Sequence, residues 1–381
     1  MRVISSNRET VEMSLSRRDF LKLSAATLGS ATAMSAFKPL TWPRQRSLLL
    51  PDFPQGDLLA RNCIGGIVNI MSRPDANSTV VSSIYEDTVL SWLREVPAEN
   101  LDLNRINQKW VETPEGFIYA SNVQPCKNLP NTPLSDLPPA GPDGVPGFWV
   151  EVSVPYVDFV LDNPPARSPW LKNQIQAGLP TRLYYKQIMW ADEIRTADDG
   201  TVYYRVGERY GSYGDLFIAE ARAFRPLTEE DSSPISPNVD PNDKFITVNI
   251  TDQTLSCFER DREVYFCRVS TGVADHSTPV GEQITWRKMV STHMAGGTVS
   301  AGYDTPGIAW TTLFSGEGVA IHSTFWHNDF GAKRSHGCVN VLPDDAQWIF
   351  RWSSPEVPLL PGDQSVPMPG GTHVKVEERY F

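Results

Sequence analysis

Lysine and arginine are in short supply: 34 of them stand against 45 aspartates and glutamates, a formal charge of −11 at neutral pH. A sheet of phosphates repels such a chain, which excludes nucleic acid as a partner. Long apolar runs are missing too. Beyond the first 36 residues nothing approaches the roughly 18 consecutive apolar residues that a membrane helix needs. There is no C-x-x-C pair, which argues against a thiol oxidoreductase. Helical periodicity is scarce and clear only over 344–352, where Pro343 fits a first turn. In its place, 31 prolines and 26 glycines punctuate the chain, the mark of short strands and turns.

What is present suffices for a globular protein. The 381 residues, 40% of them hydrophobic, are enough for two or three domains at roughly 150 residues each. Residues 16–22 read S-R-R-D-F-L-K and a stretch of small and apolar residues follows to Ala36. Twin arginines ahead of a mild apolar run resemble the bacterial Tat export signal, and Ala31-Thr32-Ala33 supplies a cleavage-like site. Residues 1–36 are therefore expected to be a Tat signal, with the Tat export machinery as a partner and a periplasmic or cell-wall location. No cysteine closes the apolar run, so a lipoprotein anchor is not expected.

Five cysteines, Cys63, Cys126, Cys257, Cys267 and Cys338, divide most simply into two pairs and one leftover. Cys63 and Cys126 bracket one module, and Cys257 and Cys267 sit on neighbouring strand-like runs, so these are the candidate disulfides. Cys338 is the odd thiol. Outside the cytoplasm an unpaired thiol is a liability unless it has chemistry to perform.

The chain reads as mainly β. Short β-branched and aromatic runs from Ile67 to Tyr119, separated by Pro, Asn, Asp and Gly, predict small antiparallel strands. The order N-I-M-S-R-P, W-V-E-T, G-F-I-Y-A-S-N-V-Q-P is similar to bacterial SH3-like modules over about 63–125, giving a module at 63–128. A proline-rich linker over 125–147 should be extended. A second all-β module follows at 148–228, with Asp199-Gly200 as a hairpin signal. Its Tyr184, Tyr185, Trp190, Tyr203 and Tyr204 read as core and cross-strand pairs, or as a carbohydrate platform. Residues 229–242, rich in Pro and Ser, form a second linker, and a third domain opens near Lys244.

The chemistry gathers in Ser335-His336-Gly337-Cys338-Val339-Asn340, with His322 placed 16 residues ahead of Cys338. A Cys–His pair suits acyl transfer. The imidazole takes the thiol proton, the thiolate attacks an amide carbonyl, and an acceptor opens the thioester. Gly337 permits a tight backbone whose N–H groups over 336–338 could meet the oxyanion. No Asp or Glu in the motif is placed to complete a triad. A zinc site from His322, His327, His336 and Cys338 is the competing arrangement, but the mechanism needs neither metal nor cofactor.

A histidine, a spacer and S-H-G-C-V-N together resemble the L,D-transpeptidase catalytic domain, over about 244–365. Ser270-Thr271-Gly272, Thr278-Pro279-Val280-Gly281, Pro306-Gly307 and the run Phe325-Trp326-His327-Asn328-Asp329-Phe330-Gly331 are similar to its other turns. The resemblance implies a β-sandwich catalytic domain preceded by small SH3-like modules. It implies Cys338 as nucleophile and His322 as base, with the carbonyl of Ser323 orienting the imidazole. Ser335, His336 and Gly337 would shape the oxyanion pocket; Asn340, Trp326, His327 and Gly331 would face substrate. Asn340 stands where many members have Arg. His276 and His293 are expected in surface or packing roles, with His293 on a loop over the site. The implied substrates are peptidoglycan stem peptides, donor and acceptor, handled by a monomer that forms 3→3 cross-links. The alternatives are an L,D-carboxypeptidase and a non-catalytic wall-binding protein.

Overall fold

The computed structural model describes residues 48–296, 303–316 and 318–379. The expected export signal lies outside them. The described part is mainly β, in five sheets.

Strand Leu59–Asn62 opens the first region. It pairs antiparallel with Val89–Ser91 on one side and Val123–Cys126 on the other. A five-stranded antiparallel sheet completes this region, in the order 80–84, 68–71, 116–119, 109–113, 94–97. Val68, Ile70, Val111, Ile118 and Val123 fill a small core.

The next region is a seven-stranded antiparallel sheet, in the order 182–184, 156–161, 216–220, 202–207, 188–196, 148–152, 224–226. Gly200 holds φ +86° in the turn that joins Ile188–Thr196 to Val202–Gly207. Tyr204 and Trp190 are buried, while Tyr184 stacks on Phe325. Their role is packing. The proline-rich stretch 127–147 forms no regular element, yet it lies against this sheet. Leu129 N–H donates to Ser153, and Leu134 and Leu137 pack on the core.

The last region is built from two mixed five-stranded sheets. The first runs 262–268, 254–259, 244–249, 373–377, 281–284; the second runs 339–341, 320–323, 303–313, 287–296, 363–365. Ile246, Val248, Val290, Trp310, Ile321, Val339, Val374 and Val376 belong to one shared core. Helix Pro343–Trp352 closes it. Pro343 occupies its first turn, Asp344 and Asp345 favour the positive end of its dipole, and Ala346, Ile349 and Phe350 form the buried stripe. Trp149, Ile188, Trp190 and Leu227 of the seven-stranded region belong to the same core, so the two regions share an interior.

Two expectations change. Residues 229–242 are not a bare linker. Thr228 and Asp231 form a capping box on a one-turn helix, and Arg351 binds the carbonyl of Ser233. The pairings Cys63–Cys126 and Cys257–Cys267 are not formed; all five cysteines are free. Cys126 lies opposite Leu59, four residues before Cys63, a separation of about 13 Å along the strand. Cys257 faces Tyr265 and Cys267 faces Leu255, so the two residues are diagonal rather than direct neighbours, a placement with Cα atoms about 7–8 Å apart. A disulfide needs Cβ atoms about 3.5–4.5 Å apart.

Candidate active site

The strand Ala320–Ser323 pairs in parallel with Val339–Val341, setting Ile321 beside Val339 and His322 beside Asn340. One step back, Cys338 stands beside Ala320. Because alternate residues share a face, Ala320, His322, Cys338 and Asn340 project from the same side of the sheet. The 16-residue separation in sequence becomes a diagonal step between adjacent strands.

The loop ahead of Cys338 is pinned by the turns the sequence singled out. Gly272 bridges Ser335, and Val273 N–H donates to the Ser335 carbonyl. A side chain at Gly272 would collide with the His276 carbonyl at 2.0 Å and the Gly337 Cα at 3.0 Å, so only glycine fits. The Thr278 hydroxyl donates to the Gly337 carbonyl at 2.8 Å and accepts from Gly272 N–H at 3.0 Å. Gln253, which carries no sequence signal, clamps Thr271 through its carboxamide at 2.8 and 2.6 Å. Ser335 Oγ donates to the Cys338 carbonyl and accepts from Gly337 N–H at 3.2 Å. The amide of Gly337, at φ +112°, is thus already engaged by Ser335.

A cavity of about 220 Å³ lies over this face. Of the candidate site residues, His322, Trp326, Ser335, His336, Cys338 and Asn340 line it. Five lining residues carried no motif, Arg334 among them. Met294, Tyr303, Thr305 and Ile308 come from the strands Arg287–Gly296 and Tyr303–Leu313. Both strands are buried along most of their length, so no alternation in sequence marks the face that meets the cavity. Arg334 also lines the cavity and forks onto Asp329. The His336 ring sits between His276 and Tyr303, with centroids 5.0 and 5.3 Å away. His327 does not line the cavity; it is buried in contact with Asn340. Gly331 is not a lining residue; it packs against Ile106 of the first region.

The imidazole of His322 is buried and oriented. Its Nδ1 donates to the carbonyl of Ser323 at 2.8 Å, which leaves Nε2 bare. Burial pushes its pKa down to about 4, against the smaller opposing pull of that carbonyl. The ring is therefore neutral near pH 7 and able to accept a proton. Burial raises the Cys338 thiol, and the Ala320 amide partly offsets this. Cys338 is the half-buried thiol of the five; burial pushes Cys63 to about 11 and Cys126 to about 12. No group of three or more His, Cys, Asp and Glu side chains could hold a metal ion among the described residues.

His293 is not a loop residue. It lies in strand Arg287–Gly296, with Nδ1 at 2.7 Å from Glu208 and Nε2 at 2.5 Å from Asp304. Glu208 in turn accepts from Gly307 N–H, and Asp304 from Trp170 N–H. This cluster joins the seven-stranded region to the strands that carry Met294 and Tyr303.

Residues 243–376 match the family model of the YkuD L,D-transpeptidase catalytic domain. No curated protein shows a significant match to the chain. Among solved structures, a mutant of Enterococcus faecium L,D-transpeptidase is 21% identical, with 36% of this chain and 50% of that one covered and a TM-score of 0.29. This chain thus spans about half its length. An L,D-transpeptidase from Mycobacterium smegmatis is 15% identical, with 49% and 98% covered and a TM-score of 0.31. One from Stackebrandtia nassauensis is 20% identical, with 39% and 60% covered and a TM-score of 0.26. Over residues 243–376, about a third of its length, the chain is therefore similar to the L,D-transpeptidase catalytic domain.

Proposed function

We propose that this protein is a peptidoglycan L,D-transpeptidase working through a Cys338 thioester. The observation that carries the reading is the neutral His322, held by the Ser323 carbonyl with Nε2 bare, on the same cavity wall as Cys338. Nε2 takes the thiol proton as sulfur attacks the amide carbonyl after the third stem residue. The N–H groups of His336 and Cys338 receive the oxyanion. Collapse breaks the C–N bond. The D-residue leaves as an amine, taking the proton back from His322, and the third residue remains as a thioester. The side-chain amine of a second stem then attacks, giving its proton to His322. The new amide forms and the thiol is restored.

The setting supports the same reading. Among the described residues no helix is long and apolar enough to cross a membrane. The twin-arginine segment, the SH3-like module at 63–128 and the all-β module at 148–228 fit an exported, wall-associated monomer. The test is mass spectrometry of muropeptides after incubation with purified protein. Cross-linked dimers are expected, together with a carbapenem adduct on Cys338 that Cys338→Ala abolishes. Tripeptides without dimers would make it an L,D-carboxypeptidase. Unchanged muropeptides would leave a wall-binding protein.

A further inference from the structure

The hydrogen bonds around His327 decide which end of the Asn340 carboxamide meets the cavity. Asp329 N–H donates to Nδ1 of His327 at 3.2 Å. A backbone amide can only donate, so Nδ1 is the bare nitrogen, and a neutral ring then carries its hydrogen on Nε2. The ring is neutral because burial, helped by Arg334, pushes its pKa down to about 4. Nε2 lies 3.1 Å from one end of the Asn340 carboxamide. That end must accept, so it must be oxygen. With nitrogen there, two donors would face each other and Oδ1 would be buried with no partner. Exchanging the two ends, which are nearly equal in shape, removes the facing donors and leaves the NH₂ as the buried end without a protein partner. Asn340 has no other freedom to adapt. It is 2% exposed, and its main chain exchanges two 2.9 Å bonds with Ser270.

We propose that His327 is a positioning residue that holds the Asn340 NH₂ toward the Cys338 cavity, where it donates to an oxygen of the donor stem peptide. The oxygen is a carboxylate or a main-chain carbonyl, and an incoming amine is not the group read here. The inference rests on the reading of this cavity as a peptide donor site, but its first test does not. Asn340 is the binding residue, and His327 acts through it.

Long-range ¹H–¹⁵N spectra of the unaltered protein are expected to show His327 as the neutral Nε2–H tautomer at pH 6–8. An Nδ1–H tautomer overturns the proposal whatever the protein's activity. The second test measures tetrapeptide affinity calorimetrically in the Cys338→Ala protein, so that binding is read without turnover. Adding Asn340→Asp keeps the bond from His327 but turns an acceptor to the cavity, and Kd is expected to rise at least about tenfold. Unchanged or tighter binding overturns the proposal. His327→Leu should weaken binding in a manner not additive with Asn340→Asp, and His327→Gln, which retains a donor, should recover most of the loss. A donor amidated at its C-terminus separates the two oxygens. The Asn340→Asp penalty disappears if the carboxylate is read and persists if a main-chain carbonyl is. Failure of the wild-type protein to cross-link would sink the proposed function while leaving the tautomer and affinity results to judge this inference.

Discussion

In the proposed mechanism His322 performs two tasks with two nitrogens, and its burial sets the pH at which it can perform them. With Nδ1 committed to the Ser323 carbonyl, only Nε2 can receive the thiol proton. Its folded pKa lies below the ordinary histidine value, so the base is present down to about pH 4 and lost below it. The rate of carbapenem acylation should therefore be flat from pH 6 to 7 and fall below about pH 4. A midpoint near 6.5 would place the ring in water and contradict the buried site. His322→Ala should slow acylation by about 10²–10⁴-fold, the usual contribution of a general base. His322 and Cys338 were legible in the sequence because a Cys–His pair has a chemical reason, and the Gly272 and Thr278 turns only through their likeness to turns of the L,D-transpeptidase domain. It hid Gln253, Arg334 and Tyr303 because single residues brought in by tertiary packing leave no local pattern. It placed His293 on a loop because the two carboxylates that hold it, Glu208 and Asp304, are 85 and 11 residues away.

Among the elements, the strands Arg287–Gly296 and Tyr303–Leu313 carry the far wall of the cavity, and the His293 cluster fastens them. Burial alone would lower the His293 pKa, but the bonds from Glu208 and Asp304 outweigh it and hold it above the ordinary value. Glu208 is also raised, by its burial. Both shifts act in one direction. A histidine with a raised folded pKa stabilises fully below its unfolded value near 6.5 and loses that contribution as pH rises through the folded one; a raised carboxyl likewise favours the folded state at low pH. These strands should open more readily as pH rises above 7, seen as amide protection over 287–296 that falls relative to the intrinsic, base-catalysed exchange rate. His293→Gln should flatten that dependence, and a slope equal to that of wild type would remove the cluster from the account. The helix Pro343–Trp352 was legible in the sequence because its apolar stripe has the helical period. The capping box at Thr228 was obscured by the surrounding Pro and Ser. Phe350→Ala, in the shared core, should cost about 3–5 kcal/mol in chemical denaturation.

The whole molecule bears on the site through the run that follows the His322 strand. Arg61 of the first region is buried; it binds Asp87 at 2.6 Å, Gln124 at 2.8 and 3.0 Å, and the carbonyl of Phe325 at 2.7 Å. Its guanidinium lies 4.2 Å over the Tyr184 ring, which stacks on Phe325. Ser121 donates to Asp329, and Asn328 bonds the carbonyls of Ala120 and Ser121. Three regions of the chain therefore meet on the segment that carries Trp326 into the cavity. The sequence showed two linkers and implied separable domains; the contacts that join them are long-range and single, so no spacing announces them. Two expectations follow for intact protein and fragment. A fragment spanning 243–379 lacks Trp149, Ile188, Trp190 and Leu227 of the shared core and should not give a cooperative unfolding transition. The second expectation, for Arg61, is more specific. Arg61→Met keeps the volume but leaves Asp87 with Arg182 as its remaining ion pair, and the Phe325 carbonyl loses this donor. Breaking one partner of a buried pair costs about 3–5 kcal/mol, and the loss falls on the turn that supports Trp326. Thermal melting should drop, and Cys338 acylation should slow even at temperatures where the variant is fully folded. A variant that melts lower but acylates at the wild-type rate would make the first region a stabiliser only, without influence on the site.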